Sequence, residues 1–153
     1  MDIGYKGDEI FLLSIEEYEY YEDKIPHENC WWWLRFSGYN QHFAAAVDID
    51  GSVRYRGHNV HRDDGAVRPT LKYSNLEFQI IKFSVRKDRF LFHEFLFKII
   101  DEENKIAIAE VPIAFDKFDE KSNDYETSGI RRKLLKWFET GTWNYAGKSL
   151  KIK

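Results

Sequence analysis

A single cysteine, Cys30, stands in the 153 residues, so no internal disulfide can form and the fold does not need an oxidising compartment. The opening residues, MDIGYKGDEI, lack the apolar core of a secretory leader. No apolar run approaches the roughly 20 residues of a membrane-spanning helix. A cytoplasmic location with no membrane association is the expectation. A net charge of −3 is too small to draw the chain toward nucleic acid or an anionic surface. Also missing are a glycine-rich phosphate loop, a nucleophile elbow and the ligand spacing of a calcium-binding EF-hand. No cofactor is expected.

Aromatics are what the chain has in quantity, at 17 % of residues. They suit a β-rich core and leave some rings for a binding face. The length allows one domain, 1–153, burying roughly two-thirds of its unfolded surface.

The chain is organised around the stretch from Cys30 to Leu71. Trp31, Trp32, Trp33 and Leu34 form an apolar run too short for a helix, which predicts a strand buried on both faces. From Phe43 the pattern alternates, with Phe43, Ala45, Val47 and Ile49 on one side and Ala44, Ala46, Asp48 and Asp50 on the other. A two-residue loop at Asp50-Gly51 would set Val47 against Arg54. A three-residue loop, Ile49-Asp50-Gly51, pairs Val47 with Val53 and Ala45 with Tyr55. The second matches the apolar faces and predicts a type I turn with Gly51 left-handed, forming a bulge. Pro69 stops ladder pairing in its own strand.

Before this stretch, residues 1–9 read as a loose lead-in and Ile10 to Leu13 as a short strand. Ser14 and Glu17 have the spacing of a capping box for a helix from Ile15 to about Asp23. Its outer face (Glu16, Glu19, Glu22) reads as solvated surface. After it, Leu76 to Val85, Arg89 to Ile100 and Ile106 to Val111 read as strands, the last two forming a hairpin through Asp101–Asn104. Pro112 to Ser128 reads as a polar connection without period. Ile130, Leu134, Trp137 and Phe138 recur at helical spacing, with Thr127 or Ser128 as cap and Gly141 as stop. Arg131, Arg132, Lys133 and Lys136 fall on the opposite, solvated face. The tail KSLKIK frays or adds an edge strand.

The segments Trp32-Trp33-Leu34-Arg35, Ser37-Gly38, Ala44-Ala45, Val47, Asp50-Gly51, Val53, Gly57, Val60, Gly65 and Val67-Arg68-Pro69 resemble the WWLRSPG…DGSV…GAVRPAL pattern of an uncharacterised gut-bacterial domain family. That family is similar to the C-type-lectin-like fold of formylglycine-generating enzymes and of the variable proteins of diversity-generating retroelements. The resemblance implies an α+β fold of twisted antiparallel sheets and hairpins with two helices. Within the second half, the segment from Phe97 to Phe138 resembles the strand, charged turn, strand, loop and helix portion that precedes this pattern in the family. The halves, 1–74 and 75–153, therefore stand in permuted order. Closure within one chain is expected, and a swapped homodimer is the competing arrangement.

Several residues invite chemistry. Formylglycine-generating enzymes use paired cysteines, and Cys30 stands alone, so that activity is not carried over. His58 and His61 with Asp63 and Asp64 form a metal candidate, but no third ligand has characteristic spacing. Arg35 and Arg68 either grip a ligand carboxylate or pair with core carboxylates and turn carbonyls, and the second is the expectation. The rim remains: Tyr39, Asn40, Gln41, His42, Arg54, Arg56, His58, Asn59, His61, Arg62, Asp63 and Asp64. In the retroelement proteins the corresponding surface displays variable binding residues. Such a mixture suits adaptable polar recognition. The expected function is a non-enzymatic binding module, with a protein partner ahead of a small ligand. A phage- or mobile-element-encoded inhibitor of a host protein and an inactive relative of formylglycine-generating enzymes are the alternatives.

Overall fold

The computed structural model describes residues 2–37, 40–74, 81–82, 88–145 and 148–151. The chain runs β1 (Ile10–Phe11), α1 (Ile15–Tyr21), β2 (Trp32–Ser37), β3 (Phe43–Val47), β4 (Val53–Asn59), β5 (Ala66–Val67) and β6 (Thr70–Lys72). It continues with β7 (Ile81–Lys82), β8 (Arg89–Phe92), β9 (Phe95–Asp101), β10 (Ile106–Ala109), β11 (Ala114–Phe115), α2 (Gly129–Thr140), β12 (Thr142–Tyr145) and β13 (Lys148–Lys151). The fold is α+β, mostly sheet, with two α-helices among the described residues.

Strands from both halves share both larger sheets. One sheet has the order β1-β6-β10-β9-β8-β7, and the other β11-β5-β2-β3-β4. Thus β6 pairs with β10, and β11 with β5. The pairings are antiparallel except for β2 with β5, which meet in parallel at Trp32 and Ala66. Trp32, Trp33 and Leu34 are buried, as the apolar run predicts. Trp33 packs in one core with Val67, Phe97, Ile130, Leu134 and Trp137, while Trp32 packs in a second with Phe11, Tyr18, Val47 and Ile108. Trp31 lies outside the strand and is half-buried.

The β3–β4 turn forms as expected. Val47 pairs with Val53, Gly51 N–H donates to Asp48 O at 2.9 Å, and Gly51 has φ 88°. The expected pairing of Ala45 with Tyr55 does not form. Ala46 pairs with Arg54 and Ala44 with His58, so β4 takes four steps where β3 takes two. The surplus is taken up at Gly57, whose φ is 78° and whose absent side chain leaves room for the Ala44 carbonyl. Tyr55 is turned outward and is 57 % exposed. On its other side β3 meets the same surplus, Trp33 to Ser37 of β2 against Ala46 to Ala44. This bulge brings Arg35 N–H to Leu13 O at 2.9 Å.

The opening residues are held in place rather than loose. Ser14 Oγ accepts from Glu17 N–H at 3.1 Å and Glu17 Oε1 accepts from Ser14 N–H at 3.0 Å, completing the capping box. The same carboxylate takes Gly4 N–H at 2.8 Å and the Arg35 guanidinium at 2.6 and 3.0 Å. Arg35 also donates to Leu12 O and Gly4 O. Asp8 receives Arg131 at 2.8 and 3.0 Å, and Tyr5 packs edge-on against Tyr125. Helix α1 ends at Tyr21, and Glu22–Lys24 tightens into a 3-10 turn.

In the second half, Arg89–Ile100 is two strands rather than one. His93 and Glu94 sit at φ 49° and 69° and make a two-residue hairpin between β8 and β9. Strand β10 ends at Ala109, and Val111 is exposed. Within Pro112–Ser128 a short strand, β11, and a 3-10 turn at Tyr125–Thr127 form, burying Ile113, Phe118 and Tyr125. Helix α2 is capped by Ser128 and stopped by left-handed Gly141. Its basic face is partly engaged, Arg131 by Asp8 and Lys133 by buried Asp116 at 2.7 Å. The tail strand β13 pairs with β12 alone among the described strands. The strand expected over Leu76–Val85 falls mostly outside the described residues.

Candidate functional site

Strand β4 is an edge of the five-stranded sheet, and three successive residues, Arg54, Tyr55 and Arg56, are exposed on it. Beside it the half-buried Trp31 leads into β2. The Trp31 ring lies 4.0 Å from the His58 ring at 39°, and Trp33 meets it edge-on at 4.8 Å. The Arg62 guanidinium sits 5.2 Å from the Trp31 ring centre, a cation–π arrangement. Asp64 holds Arg62 by two bonds, at 3.0 and 2.6 Å. Arg54 Nε donates to Asp48 Oδ1 at 3.2 Å. Trp31, Asp48, Ile49, Asp50, Arg54, His58 and Arg62 line an open groove of about 410 Å³.

The electrostatics are balanced. Asp48 and Asp64 offset Arg54 and Arg62, and such exposed pairs contribute at most about 1 kcal/mol each. His58 Nδ1 lies 3.2 Å from Arg62 Nη1. An arginine only donates, so Nδ1 accepts and the ring is neutral with its proton on Nε2. Burial, then Arg54 and Arg62, push the His58 pKa below its ordinary value. A base whose folded pKa is lowered binds fewer protons folded than unfolded. Its stabilising contribution is therefore complete above the unfolded value of 6.5 and is lost as pH falls toward the folded one. Thermal melts from neutral to acid pH should show wild type losing more stability below pH 6.5 than His58→Gln. Equal slopes would remove His58 from that balance.

Of the twelve rim residues, Arg54, His58, Arg62 and Asp64 come together around Trp31. Five others meet or adjoin a separate ridge, the 119–123 loop. Asn40 O accepts from Asn123 Nδ2 at 2.6 Å, and Asn40 Oδ1 accepts from His42 N–H at 2.8 Å. Gln41 O accepts from Asn123 N–H at 3.0 Å, and His42 Nδ1 lies 3.0 Å from Lys121 O. Asn59 Oδ1 takes His61 N–H, and His61 reaches Glu120 at 3.4 Å. Arg56 and Asp63 are exposed, and Tyr39 lies outside the described residues. The metal candidate separates, His58 facing Trp31 and Asp48 while His61 faces Glu120. Among the described residues no group of three or more His, Cys, Asp or Glu is placed to hold a metal ion.

Cys30 is half-buried, and burial followed by Glu28 raises its pKa, which disfavours the nucleophilic thiolate. Sequence reasoning missed Trp31, Asp48, Ile49 and Asp50. The available signal was the third consecutive tryptophan, one ring more than Trp32 and Trp33 need to fill the two cores. No helix is long and apolar enough to cross a membrane among the described residues. Compared with protein-family models, curated proteins and solved structures, the chain matches none.

Proposed function

We propose that the chain is a non-enzymatic binding module on a C-type-lectin-like scaffold, and that the face around Trp31 engages a protein partner. The observation that carries this is the half-buried tryptophan packed beside an imidazole and an arginine that touch each other, at the margin of an open groove. Tryptophan and arginine are the residues most enriched at energetic centres of protein interfaces. Trp31 is already braced by Trp33, so it loses little freedom on binding. Exposed Ile49 extends the apolar area, and the balanced charges favour a mixed surface over a polyanion. The scaffold part rests on the quoted sequence resemblance and accords with the sharing of both sheets by the two halves.

Immobilised protein should capture one protein from source-cell extract in a saturable complex of fixed stoichiometry. Trp31→Ala and Ile49→Asp should each weaken capture by roughly thirtyfold, the effect of losing an interface anchor. Glu103→Gln, in the exposed β9–β10 turn, should leave it unchanged. Equal capture by all variants after melts show each is folded would overturn the proposal.

A further inference from the structure

A second hollow, more enclosed and about 160 Å³ in volume, shares Asp48 and Asp50 with the Trp31 groove. It lies between α1, the Ile25–Glu28 segment and the β3–β4 turn. Arg68 forms part of its wall and is only 1 % exposed. Its Nε donates to Ala109 O at 2.8 Å, and its Nη2 to Pro26 O at 2.7 Å and Glu110 O at 3.1 Å. The guanidinium lies 5.1 Å from the Trp32 ring centre. All three acceptors are neutral carbonyls. The Glu110 carboxylate is turned to Arg89 at 2.7 Å.

Among the described residues, Nη1 has no hydrogen-bond partner and no carboxylate reaches ion-pair distance of Arg68. Burial lowers the Arg68 pKa to about 10, which leaves the group charged at neutral pH. A buried charge without a counter-ion is costly, and an anionic ligand group relieves that cost. The rim has the opposite sign. It carries Glu22, Glu28, Asp48 and Asp50. Asp48 is taken by Arg54, and Asp50 by Ser52 N–H at 3.0 Å and Oγ at 2.6 Å. Glu28 accepts only a long bond from Asn29 N–H, at 3.4 Å, among the described residues. Tyr18, Ile25, Pro26, Trp32 and Val47 supply apolar wall.

A simple anion meets a ring of carboxylates here, and a simple amine meets Arg68. A molecule carrying both charges satisfies both. We propose that the hollow binds a small zwitterion of the amino-acid class, its carboxylate on Arg68 Nη1, its ammonium at Glu28 and its side chain against Trp32. This site stands independently of the protein-partner reading, because the groups that hold the ligand, Arg68 and Glu28, lie outside the Trp31 groove and its test is different.

The test is calorimetry on the whole chain with matched probes: L-valine, isovalerate and isobutylamine. L-Valine should bind, and each half-charged analogue should bind roughly tenfold to a hundredfold more weakly, the range for losing a bond to a charged group. Glu28→Gln, a change on a half-exposed loop residue, should weaken L-valine about tenfold and leave isovalerate no weaker. Arg68→Lys should lose L-valine binding, because a point charge on a different stem cannot reproduce the guanidinium geometry. If that variant does not fold, the probe series and Glu28→Gln decide alone. Isovalerate or isobutylamine binding as tightly as L-valine, or no L-valine binding up to about 10 mM, would overturn the site.

Discussion

Glu17→Ala should lower folding stability by about 3–5 kcal/mol, the cost of removing one partner of a buried ion pair. The side chains of Glu17 and Arg35 are 3 % and 11 % exposed, so solvent screens the pair little. One carboxylate closes the first turn of α1, receives Arg35 from β2 and ties down the chain at Gly4. Truncation leaves the Arg35 charge with two carbonyls and no counter-ion among the described residues. Urea unfolding at neutral pH gives the number. A Glu17→Ala/Arg35→Met double variant should be less destabilised than the sum of the single changes, since no charge is then stranded. A loss under about 1 kcal/mol for Glu17→Ala would place the Glu17–Arg35 pair among surface ion pairs.

The second large effect is expected at Gly57. A side chain there would place Cβ 2.1 Å from Ala44 O and 2.4 Å from Ala44 C, both backbone atoms of the adjoining strand. With φ at 78°, an L-residue also carries conformational strain. Strain of about 1–2 kcal/mol and overpacking of about 1–3 kcal/mol combine to a loss of roughly 2–5 kcal/mol for Gly57→Ala. The same change should disturb the Trp31 face, because the bulge decides where His58 stands relative to β3. Urea unfolding and the indole proton signals of the tryptophans together check this. A variant as stable as wild type would mean that β4 can pair with β3 in the unbulged register.

Much of the fold was legible because local chemistry dictated it. The Ser14–Glu17 box, the Ser128 and Gly141 ends of α2 and the three-residue turn at Gly51 are short-range devices whose residues announce them. What misled was settled by distant partners. His-Glu is a poor advertisement for a two-residue hairpin at His93–Glu94, where asparagine and glycine are the usual sign. Residues 1–9 carry no periodic pattern, yet Asp8 is claimed by Arg131, from far along the chain, and Gly4 by Glu17 of α1.

The rim showed the same division. Exposure of Arg54, Arg62 and Asp64 could be read from alternation and turn composition. Their gathering around Trp31 depends on a bulge that a two-residue period conceals. The split of His58 from His61 likewise follows from the course of the chain after β4, where His61 turns to the 119–123 loop.

The exchange of strands between the halves sets an order of events during synthesis. When Lys72 has left the ribosome, β1 and β6 have each other but not β10, and β5 has β2 but not β11. Trp33 cannot be enclosed until Ile130, Leu134 and Trp137 of α2 have been translated. The nascent first half therefore carries uncovered tryptophans through much of translation, a period in which chaperones or premature association compete with folding.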